Sequence, residues 1–452
     1  MPAYNPPPCR WVRSLSFQKA RSTPLLAKPN LPHWVTSGSG SISAAAQIAR
    51  VCKISRSPHV LIAGAGIGGL TAALAMLKAG VDVDVYEQAP ELGEIGAGFQ
   101  MSANGTRVLS YLGLGDAMKK IAWEPNGKEI RMWNSGQTWK LFDLGAESVE
   151  RYGFPYLMFH RADLHGLLVD AVRAEKPDAI HLNASCTGCS QDDEMAILHI
   201  DGQEDATGDA LIGADGAHSN IRQTLFGEEQ KEFSGLIAWR GVIDANDLPD
   251  GLIRPVGTNW VGPGGHVVHY FVRDGALLNF IGIQETDTWF AESWTARGTT
   301  AECLADFEGW HDTIQIMIQN IGVPYKWALM KREPMERWTE GRITLLGDAC
   351  HAMVPMLAQG AVMAIEDGMV LARCVEKFGD DIEAGLKRYE ELRLERTART
   401  IRGSNDNADR FHNSQLGDPQ GAQNFVDTEW QPDKVRERYD WLFTYDATSV
   451  EI

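Results

Sequence analysis

A strand pattern that ends in a glycine-rich loop constrains the fold of this chain more than any other feature. Residues 59–63 form a short apolar run rich in β-branched side chains, which is typical of a buried parallel strand. A helical run follows the loop, and a second strand pattern ends at Glu87. Such a strand–loop–helix–strand unit predicts an α/β fold with a parallel sheet. The glycines of the loop are Gly64, Gly66 and Gly69.

The spacing of these glycines fits a dinucleotide-binding site. Glycines at such positions let backbone amides approach a pyrophosphate at the N-terminus of the helix. Glu87 follows about 20 residues later, where an acid can hydrogen-bond the adenosine ribose. The alternative is a tight turn between strand and helix that binds no ligand. Because strand, helix and acid are all in place, we predict that the three glycines and Glu87 bind a dinucleotide.

Composition and charge exclude several other classes of protein. The 452 residues suffice for two or three domains, and 44% hydrophobic with 23% charged residues is an ordinary globular composition. A formal net charge of −18 argues against nucleic acid as a partner. Residues 60–77 are as long as a membrane span, but their glycines fit a buried strand and helix better, so no transmembrane segment is predicted. The isolated Cys186-x-x-Cys189 pair predicts no metal site.

The first 57 residues differ in composition from the remainder. They contain eight Lys or Arg residues and no acid, together with many prolines and serines. This composition offers little apolar surface to pack, so residues 1–57 are predicted to be a disordered basic leader. A basic, acid-free leader is also typical of an organellar transit peptide. We expect a cytoplasmic protein with an added leader, and mitochondrial import is the alternative.

Two further short motifs follow in the middle and late parts of the chain. Asp215 lies in a Gly-Ala-Asp-Gly turn after a short strand pattern, with Ser219 and Arg222 close behind it. Asp348 lies in a Gly-Asp-Ala turn after a buried strand pattern, where a carboxylate can accept hydrogen bonds from hydroxyl groups. A plain Asp-Gly turn before a helix is the simpler explanation for the first of these. Each motif alone is weak, and their order along one chain is the informative observation.

In this order, the three motifs resemble those of the class A FAD-dependent aromatic monooxygenases, the single-component family typified by salicylate hydroxylase. The resemblance covers residues 58–399 and extends to hydroxybenzoate and 6-hydroxynicotinate hydroxylases. It implies non-covalent FAD, O2 and a transient NADH or NADPH co-substrate, in agreement with a single dinucleotide fingerprint. It also implies hydroxylation of a phenolic or aromatic-acid substrate through a flavin hydroperoxide, with a salicylate-type reaction as first choice.

Two alternatives to this function remain open. One is a tailoring hydroxylase that acts on a polyketide-type aromatic metabolite. The other, of a different class, is a non-catalytic FAD-binding or interaction protein. Such a protein would keep the glycine loop and lose the later motifs. All three motifs are intact here, which favours the enzyme.

The resemblance also assigns cofactor contacts outside the glycine loop. Asp215 is expected near the flavin pyrophosphate and the nicotinamide, and Asp348 at the ribityl hydroxyls. A long helix that follows Gln359, Gly360 and Ala361 would point its N-terminus at the pyrimidine edge of the flavin. Aligned amides there stabilise the negative charge of reduced flavin.

Two more cofactor contacts are implied by position. Gly98 lies in a stretch, residues 94–99, that passes beside the flavin in the family. Arg161 heads a helix and matches an arginine that contacts the cofactor. Its positive charge is unfavourable at a helix N-terminus, which favours a cofactor contact over a surface role. Ala358 departs from the family pattern, because many members have glycine there.

The region between the second and third motifs contains the strand patterns of a second sheet. Residues 260–273 and 276–283 read as a hairpin around an Asp-Gly turn. In the family, such a sheet roofs the active site. Alternation places His266, Val268 and Tyr270 on one face. A His or Tyr near a phenol would help to remove its proton, so His266 and Tyr270 are candidate catalytic residues.

Each candidate in this sheet has a simpler alternative. His266 and Tyr270 are equally compatible with ordinary sheet positions, and a slip of one residue would present Val267 and His269 instead. Arg240 is predicted either to bind a substrate carboxylate in a bidentate manner or to form a structural ion pair. Pro355 is expected close to the reactive side of the flavin ring.

These assignments give a fold class and a division into domains. The predicted fold is α/β, with a Rossmann-like FAD-binding domain, an inserted β-sheet substrate domain and a helical C-terminal region. The protein is expected to be a monomer or homodimer. The predicted segments are 58–127, 157–230 and 330–375 for FAD binding, 128–156 and 231–329 for the substrate sheet, and 376–452 for the C-terminal helices and tail.

Overall fold

The computed structural model describes residues 57–93, 97–142, 146–228, 231–287 and 296–452. The predicted disordered leader lies outside the described residues, except for Ser57. Residues 94–96, part of the stretch expected beside the flavin, also lie outside them.

Strands and helices alternate through most of the described chain. The strands are β1 (His59–Ala63), β2 (Asp82–Tyr86), β3 (Gly98–Met101), β4 (Lys128–Met132), β5 (Thr138–Phe142), β6 (Leu157–His160), β7 (Ile180–His181), β8 (Cys186–Gln191), β9 (Ala196–Ile200), β10 (Ala206–Gly208), β11 (Ala210–Gly213), β12 (Glu232–Asp244), β13 (Gly257–Gly262), β14 (Gly265–Val272), β15 (Leu277–Glu285), β16 (Tyr325–Lys331), β17 (Thr339–Glu340) and β18 (Ile343–Leu345). The α-helices are α1 (Ile67–Lys78), α2 (Ala103–Tyr111), α3 (Gly115–Ile121), α4 (Ala146–Tyr152), α5 (Arg161–Glu175), α6 (Asn220–Phe226), α7 (Thr300–Asp306), α8 (Asp312–Gln319), α9 (Asp348–His351), α10 (Gly360–Phe378), α11 (Ile382–Phe411), α12 (Pro419–Glu429) and α13 (Pro432–Phe443).

A six-stranded sheet forms the centre of the nucleotide-binding part. Its strands lie in the order β17-β18-β11-β1-β2-β7, and all of them run parallel except β17 at one edge. Residues 60–63 of β1 are fully buried between β11 and β2, as their apolar sequence requires for a strand covered on both faces. This parallel sheet agrees with the predicted α/β fold.

Helices α1 and α10 pack closely together beside this sheet. The contact depends on Gly368 of α10, since a Cβ atom there would lie 2.7 Å from the backbone nitrogen of Ala72. Only glycine permits such an approach of one helix to the backbone of another. The packing therefore fixes the N-terminal ends of two helices relative to each other, and both ends belong to predicted cofactor motifs.

A seven-stranded sheet lies beside the nucleotide-binding part, with the order β16-β12-β15-β14-β13-β4-β5. Its β14–β15 hairpin turns at Arg273, Asp274 and Gly275, which have φ angles of 51°, 55° and 87°. The predicted hairpin around the Asp-Gly turn is therefore confirmed for β14 and β15. The predicted strand 260–273 is not continuous, because the chain turns at Pro263 and Gly264 and residues 260–262 belong to β13, which pairs with β14 on its other side. One face of the sheet packs on helices α7 and α8 through Trp239 and Phe307. The other face packs on the C-terminal helices.

The C-terminal region is helical, as predicted. It consists of the 30-residue helix α11 and the shorter helices α12 and α13. Phe411, Phe425 and Phe443 from these helices share one apolar cluster with Ile130 and Tyr270 of the seven-stranded sheet. The C-terminal helices thus cover the sheet face on which His266 and Tyr270 were predicted. In the part of the chain that the structure describes, no helix is long and apolar enough to cross a membrane.

The strands of the seven-stranded sheet can be compared with the proposed domains, but they do not define the domain limits. Strands β4 and β5, from the segment 128–156, join the same sheet as β12 to β16. Strand β12 begins at Glu232, and β16 ends at Lys331, two residues beyond the proposed limit at 329. The division into nucleotide-binding, substrate and C-terminal domains remains a proposal.

Candidate functional site

The glycine loop joins the first and second motifs through close backbone contacts. Gly64 has a φ of 105°, and a Cβ atom on it would lie 2.4 Å from the carbonyl oxygen of Ala214. A Cβ atom on Gly69 would lie 2.1 Å from the carbonyl oxygen of Gly64. Gly66 instead faces open space, with nothing within 4 Å of such an atom. Two of the glycines are therefore needed to fold the loop, and the third leaves its surface accessible.

Glu87 lies beside this loop at the end of β2. Its Oε2 accepts a hydrogen bond from the backbone nitrogen of Ala65 at 2.8 Å, and its Oε1 accepts one from that of Ala89 at 2.9 Å. These two amides hold the carboxylate at the mouth of the loop. The ribose contact of Glu87 stays a prediction.

Asp215 has an unused hydrogen-bonding atom in the second motif. Its Oδ2 accepts from the backbone nitrogen of Ile221, whereas its buried Oδ1 has no partner among the described residues. Burial raises the pKa of this carboxyl group. Ser219 caps helix α6, and Arg222 donates from Nη1 to the carbonyl oxygen of Ala349 at 2.8 Å. Arg222 therefore links the second motif to the third, which the sequence did not predict.

The third motif brings Asp348 to the N-terminus of α10. The Asp348 side chain is exposed, and a Cβ atom on Gly360 would lie 3.9 Å from its Oδ1. Gln359 precedes the helix and does not cap it with its side chain. The first amides of a helix have no partner within it, so the amides of Gly360 and Ala361 remain available for a ligand. A carboxylate and free amides thus lie together, and they suit ribityl hydroxyls and an anionic ring edge.

The backbone conformation of Ala358 accounts for the glycine that the family resemblance implies at this position. It adopts the left-handed conformation, with φ of 54° and ψ of 40°. Glycine enters this region without steric cost, whereas a Cβ atom costs about 1–2 kcal/mol. The chain therefore keeps the turn before α10 despite the departure from the family pattern.

A buried network of charges supports the start of α10. Asn104 donates from Nδ2 to Gln359 at 3.2 Å and to Glu366 at 2.7 Å. Arg396 of α11 binds both carboxylate oxygens of Glu366 at 2.7 Å each. Arg393 reaches Glu366 from Nη1 and Asp367 from Nε, also at 2.7 Å each. The network ties the turn before α10 to the C-terminal helix α11.

The buried carboxylates of this network are compensated by nearby cationic groups. Burial alone would raise the pKa of Glu366, but the guanidinium groups of Arg396 and Arg393 lower it below its ordinary value. Burial likewise opposes the ionisation of Asp367, and His351 and Arg393 lower its pKa. Both carboxylates are therefore charged, and each depends on its cationic partners.

Together these elements fit FAD. The glycine loop offers accessible backbone, Glu87 and Asp348 offer carboxylates, Asp215 offers an unpartnered acceptor, and α10 offers free amides. The predicted contact at Gly98 lies in β3, where its backbone nitrogen donates to Asn279 at 2.8 Å. The exposed Arg161 heads α5, and its role as a cofactor contact remains a prediction.

A small cavity of about 40 Å³ lies between the seven-stranded sheet, the segment before α10 and the C-terminal helices. His266 and Pro355, two of the predicted catalytic residues, border it. Its other lining residues are Gln100, Lys128, Tyr156, Asn259, Val268, Met356, Leu357, Ala358, Phe411, Tyr439 and Phe443. By volume it is smaller than the cavity of about 150 Å³ that accommodates benzene in a protein core, so an aromatic ring requires side chains to move.

His266 connects this cavity to the protein surface. Its Nδ1 lies 2.7 Å from Nε2 of His412, and Nδ1 of His412 lies 3.2 Å from Oε1 of Glu285. The Glu285 side chain is 58% exposed, so the chain of three groups ends in solvent. Burial lowers the pKa of His266 well below its ordinary value and that of His412 to about 4. Both rings are therefore neutral at physiological pH.

The other predicted catalytic residues lie away from the cavity lining. Pairing of β13, β14 and β15 places Tyr270 on the His266 face, but its ring packs beside Gly98. Arg240 lies over the rings of Tyr325 and Trp327, with its guanidinium carbon 5.3 and 5.4 Å from their centroids. The structure brings together His266 and Pro355 only, and catalytic roles for Tyr270 and Arg240 remain predictions.

The register of β14 decides between the two alternatives for this strand. Val267 packs on the opposite face with Trp260, and Nε2 of His269 accepts from Nε1 of Trp260 at 3.0 Å. The predicted face with His266 and Val268 is therefore the one that borders the cavity. Alternation along the strand was sufficient to find it.

Several cavity residues were missed by the sequence analysis. Lys128 and Asn259 lie on strands that were recognised only in part, and an alternation pattern through β4 and β13 would have placed them. Phe411 and Tyr439 come from the C-terminal helices, where no motif marks them. His412, which contacts His266, directly follows α11 and has no motif either. Their positions follow from packing between segments that are distant in sequence.

Comparisons with known proteins agree with this geometry. The model of a family described as FAD binding domain matches residues 58–404. A 3-amino-4-hydroxybenzoate 2-monooxygenase of Streptomyces platensis is 36% identical over 395 residues, which are 87% of this chain and 97% of the relative. A 6-hydroxynicotinate 3-monooxygenase of Bordetella bronchiseptica is 34% identical over 397 residues, 86% of this chain and 96% of the relative.

Solved structures support the fold. A salicylate hydroxylase substrate complex matches with a TM-score of 0.72 and 24% identity, over 86% of this chain and 96% of that chain. The motif geometry, the family model and the relatives agree in class and in cofactor. The chain belongs to the FAD-binding-domain family of flavin-dependent aromatic monooxygenases.

Proposed function

We propose that this protein hydroxylates a phenolic aromatic acid, using NADH or NADPH and O2, in the cavity beside His266. The observation that carries the proposal is the joint presence of the neutral His266 imidazole and the Pro355–Ala358 segment at one cavity, next to the N-terminus of α10. The relatives act on 3-amino-4-hydroxybenzoate and 6-hydroxynicotinate, as their names state. Salicylate and polyketide-type phenols are the other candidates.

FAD would supply the redox chemistry, and the protein would bind and orient the cofactor. When bound, FAD accepts a hydride and activates oxygen for transfer to the ring. The residues of the cleft hold it, with Glu87 proposed at the ribose, Asp215 near the pyrophosphate and Asp348 at the ribityl chain. The free amides at Gly360 and Ala361 would stabilise negative charge at the ring edge of bound FAD.

We further propose that His266 accepts the phenol proton at Nε2. If Glu285 is ionised, Nδ1 of His412 donates to it, and Nε2 of His412 then accepts from Nδ1 of His266. This order of donors leaves Nε2 of His266 unprotonated and without a partner among the described residues. Because burial disfavours a charged imidazole, a proton taken up at Nε2 would be passed on through His412 to Glu285.

The proposed function is tested with the purified, FAD-loaded protein. NADH and NADPH oxidation is measured with 3-hydroxybenzoate, salicylate, 6-hydroxynicotinate and a neutral polyketide-type phenol. Products are identified by mass spectrometry with isotope-labelled oxygen. We expect a hydroxylated aromatic acid that contains one labelled oxygen atom. Yellow protein that neither oxidises NAD(P)H nor forms a hydroxylated product would support the non-catalytic alternative, whereas NAD(P)H oxidation that yields only hydrogen peroxide would exclude these compounds as substrates.

Oligomeric state and location complete the proposal. We propose a monomer or homodimer in the cytoplasm, and mitochondrial import is the alternative that the basic leader raises. Deletion of residues 1–57, with a new initiating methionine, should leave FAD binding and turnover unchanged. Microscopy of fluorescent fusions with and without residues 1–57 tests location, since only import predicts that the leader changes it.

A further inference from the structure

Lys128 places an ammonium group at the cavity without a counter-charge. It lies in β4 and borders the cavity, and it has no hydrogen bond or ion pair with any described residue. The neighbouring acid is already used, since Glu129 accepts from Arg254 at 2.7 Å and from Thr258 at 3.2 Å. Successive side chains of a strand point to opposite faces, so Glu129 lies on the side away from the cavity.

Asn259 provides a second unsatisfied polar group on the same face. It lies in β13, where it pairs with Ile130 of β4 and Val268 of β14. The residue is 3% exposed, and its Oδ1 is buried with no partner among the described residues. By alternation, Lys128, Asn259 and His266 all belong to the face that borders the cavity. Three polar groups from three adjacent strands therefore meet there.

A partly buried cation without a counter-charge and a buried amide oxygen without a hydrogen-bond donor are both unfavourable. Burial lowers the pKa of Lys128 to about 8, which reflects the cost of its charge. A buried polar group is normally hydrogen-bonded, and an exception calls for a ligand or another explanation. An anion at the cavity would satisfy Lys128, and charge-assisted hydrogen bonds to carboxylates are among the stronger ones.

We propose that Lys128 is the anchor for the carboxylate of an aromatic-acid substrate, with Asn259 beside it and His266 facing the ring hydroxyl. Lys128 pairs with the carboxylate, and the buried Oδ1 of Asn259 accepts a hydrogen bond from a donor group on the substrate ring, such as a hydroxyl or amino substituent. The anchor makes the site selective for acids over neutral phenols. This inference rests on the proposed function and adds its specificity-determining residues.

The anchor is tested by binding rather than by turnover. The holoenzyme is titrated with 3-hydroxybenzoate and with neutral 3-hydroxybenzamide in the absence of NAD(P)H, and the flavin absorbance change gives each dissociation constant. Lys128→Met removes the charge, Lys128→Arg keeps it, and Lys120→Met on the exposed face of α3 is the matched control.

We expect Lys128→Met to weaken binding of the acid about 10- to 100-fold and that of the amide by less than about threefold. Lys128→Arg should retain most of the acid affinity, and Asn259→Leu should weaken it about fivefold or more. Lys120→Met should match the unmodified protein, and all variants should keep their FAD.

Equal losses for acid and amide in Lys128→Met, or an unchanged affinity for the acid, would overturn the anchor. A loss confined to substrates whose phenol is ionised would place Lys128 at the phenolate instead, which also overturns it. Failure of the proposed function is distinguishable, because it shows as an unmodified protein that binds the acids and makes no hydroxylated product.

Discussion

The cofactor cleft is assembled differently from the substrate cavity beside His266. The cleft consists of the glycine loop, Glu87, Asp215, Asp348 and the start of α10. Residues of the cleft lie within three short motifs, each at the end of a strand of one parallel sheet. Residues of the cavity come from β3, β4, β13, β14, the position of Tyr156, the segment before α10 and the C-terminal helices, which are far apart in sequence. The cleft depends on backbone contacts that only certain residues permit. The cavity depends on side chains that can change while the backbone stays the same, which is where specificity can vary within one fold.

Helix α11 contacts both of these regions. Replacing its Arg393, which belongs to the buried network of charges, should have the largest effect on stability. Arg393 is fully buried and pairs with both Glu366 and Asp367. Arg393→Met leaves two buried carboxylates undercompensated, so we expect a loss of about 3–5 kcal/mol in the free energy of unfolding. Denaturant unfolding of the holoenzyme measures it. The exposed Arg402→Met on the same helix is the control, and comparable stability of the two variants would show that the network is dispensable.

Gly69→Ala tests the backbone contact that folds the glycine loop. The new Cβ atom would overlap the carbonyl oxygen of Gly64 at 2.1 Å. We expect a loss of about 1–3 kcal/mol in stability and strongly reduced FAD content after purification. Gly66→Ala is the matched variant, because open space surrounds that position and the loop should still fold. Normal FAD content and stability in Gly69→Ala would contradict the importance of this contact.

Asp348→Ala separates cofactor binding from folding. The carboxylate is exposed beside Gly360, so its removal should leave the unfolding free energy nearly unchanged. Charge-assisted hydrogen bonds to the ribityl hydroxyls are worth about 1.5–3 kcal/mol each, which corresponds to FAD affinity weakened about 10-fold or more. Fluorescence titration of the apoprotein with FAD measures the change. Unchanged affinity would remove Asp348 from the cofactor site.

Substitutions near the cavity should change the yield of hydroxylated product rather than stability or FAD binding. His412→Gln interrupts the connection between His266 and Glu285. We expect coupled hydroxylation to fall about tenfold or more, with the lost product recovered as hydrogen peroxide and with FAD still bound. Product analysis beside peroxide detection measures this ratio. Glu285→Gln, at the exposed end, should have a smaller effect, and full coupling in His412→Gln would exclude the relay.

The contrast between the regions also explains what sequence could predict. The loop, Glu87, Asp215, Asp348 and the start of α10 were placed from local patterns, because turn geometry imposes its requirements on neighbouring residues. Their individual cofactor roles still await the tests above. The β14 face followed from alternation.

The remaining features depend on contacts between distant segments. The pairing of Arg393 with two carboxylates on α10 and the approach of His412 to His266 arise only when α11 packs on the sheet. No local sequence pattern marks Arg393 or His412, because the charged residues of a helix usually face solvent. Tyr270 and Arg240 lie on strands that the sequence did predict. Their neighbours were not predicted, namely Gly98 beside Tyr270 and the rings of Tyr325 and Trp327 beside Arg240.

The smallest predicted effect lies at the turn where cleft and cavity meet. Ala358 borders the cavity and holds a left-handed conformation directly before α10. Ala358→Gly removes a steric cost of about 1–2 kcal/mol but adds backbone entropy to the unfolded chain, worth about 0.5–1 kcal/mol. We therefore expect a gain in stability of about 0–1.5 kcal/mol, seen as a small rise in melting temperature. Ala305→Gly on the exposed side of α7 is the control, because a helical alanine carries no such strain and its replacement should lower stability by about 0.5–1 kcal/mol. If Ala358→Gly destabilises the protein as much as the control does, the left-handed turn is not strained, and the departure from the family pattern has no energetic consequence.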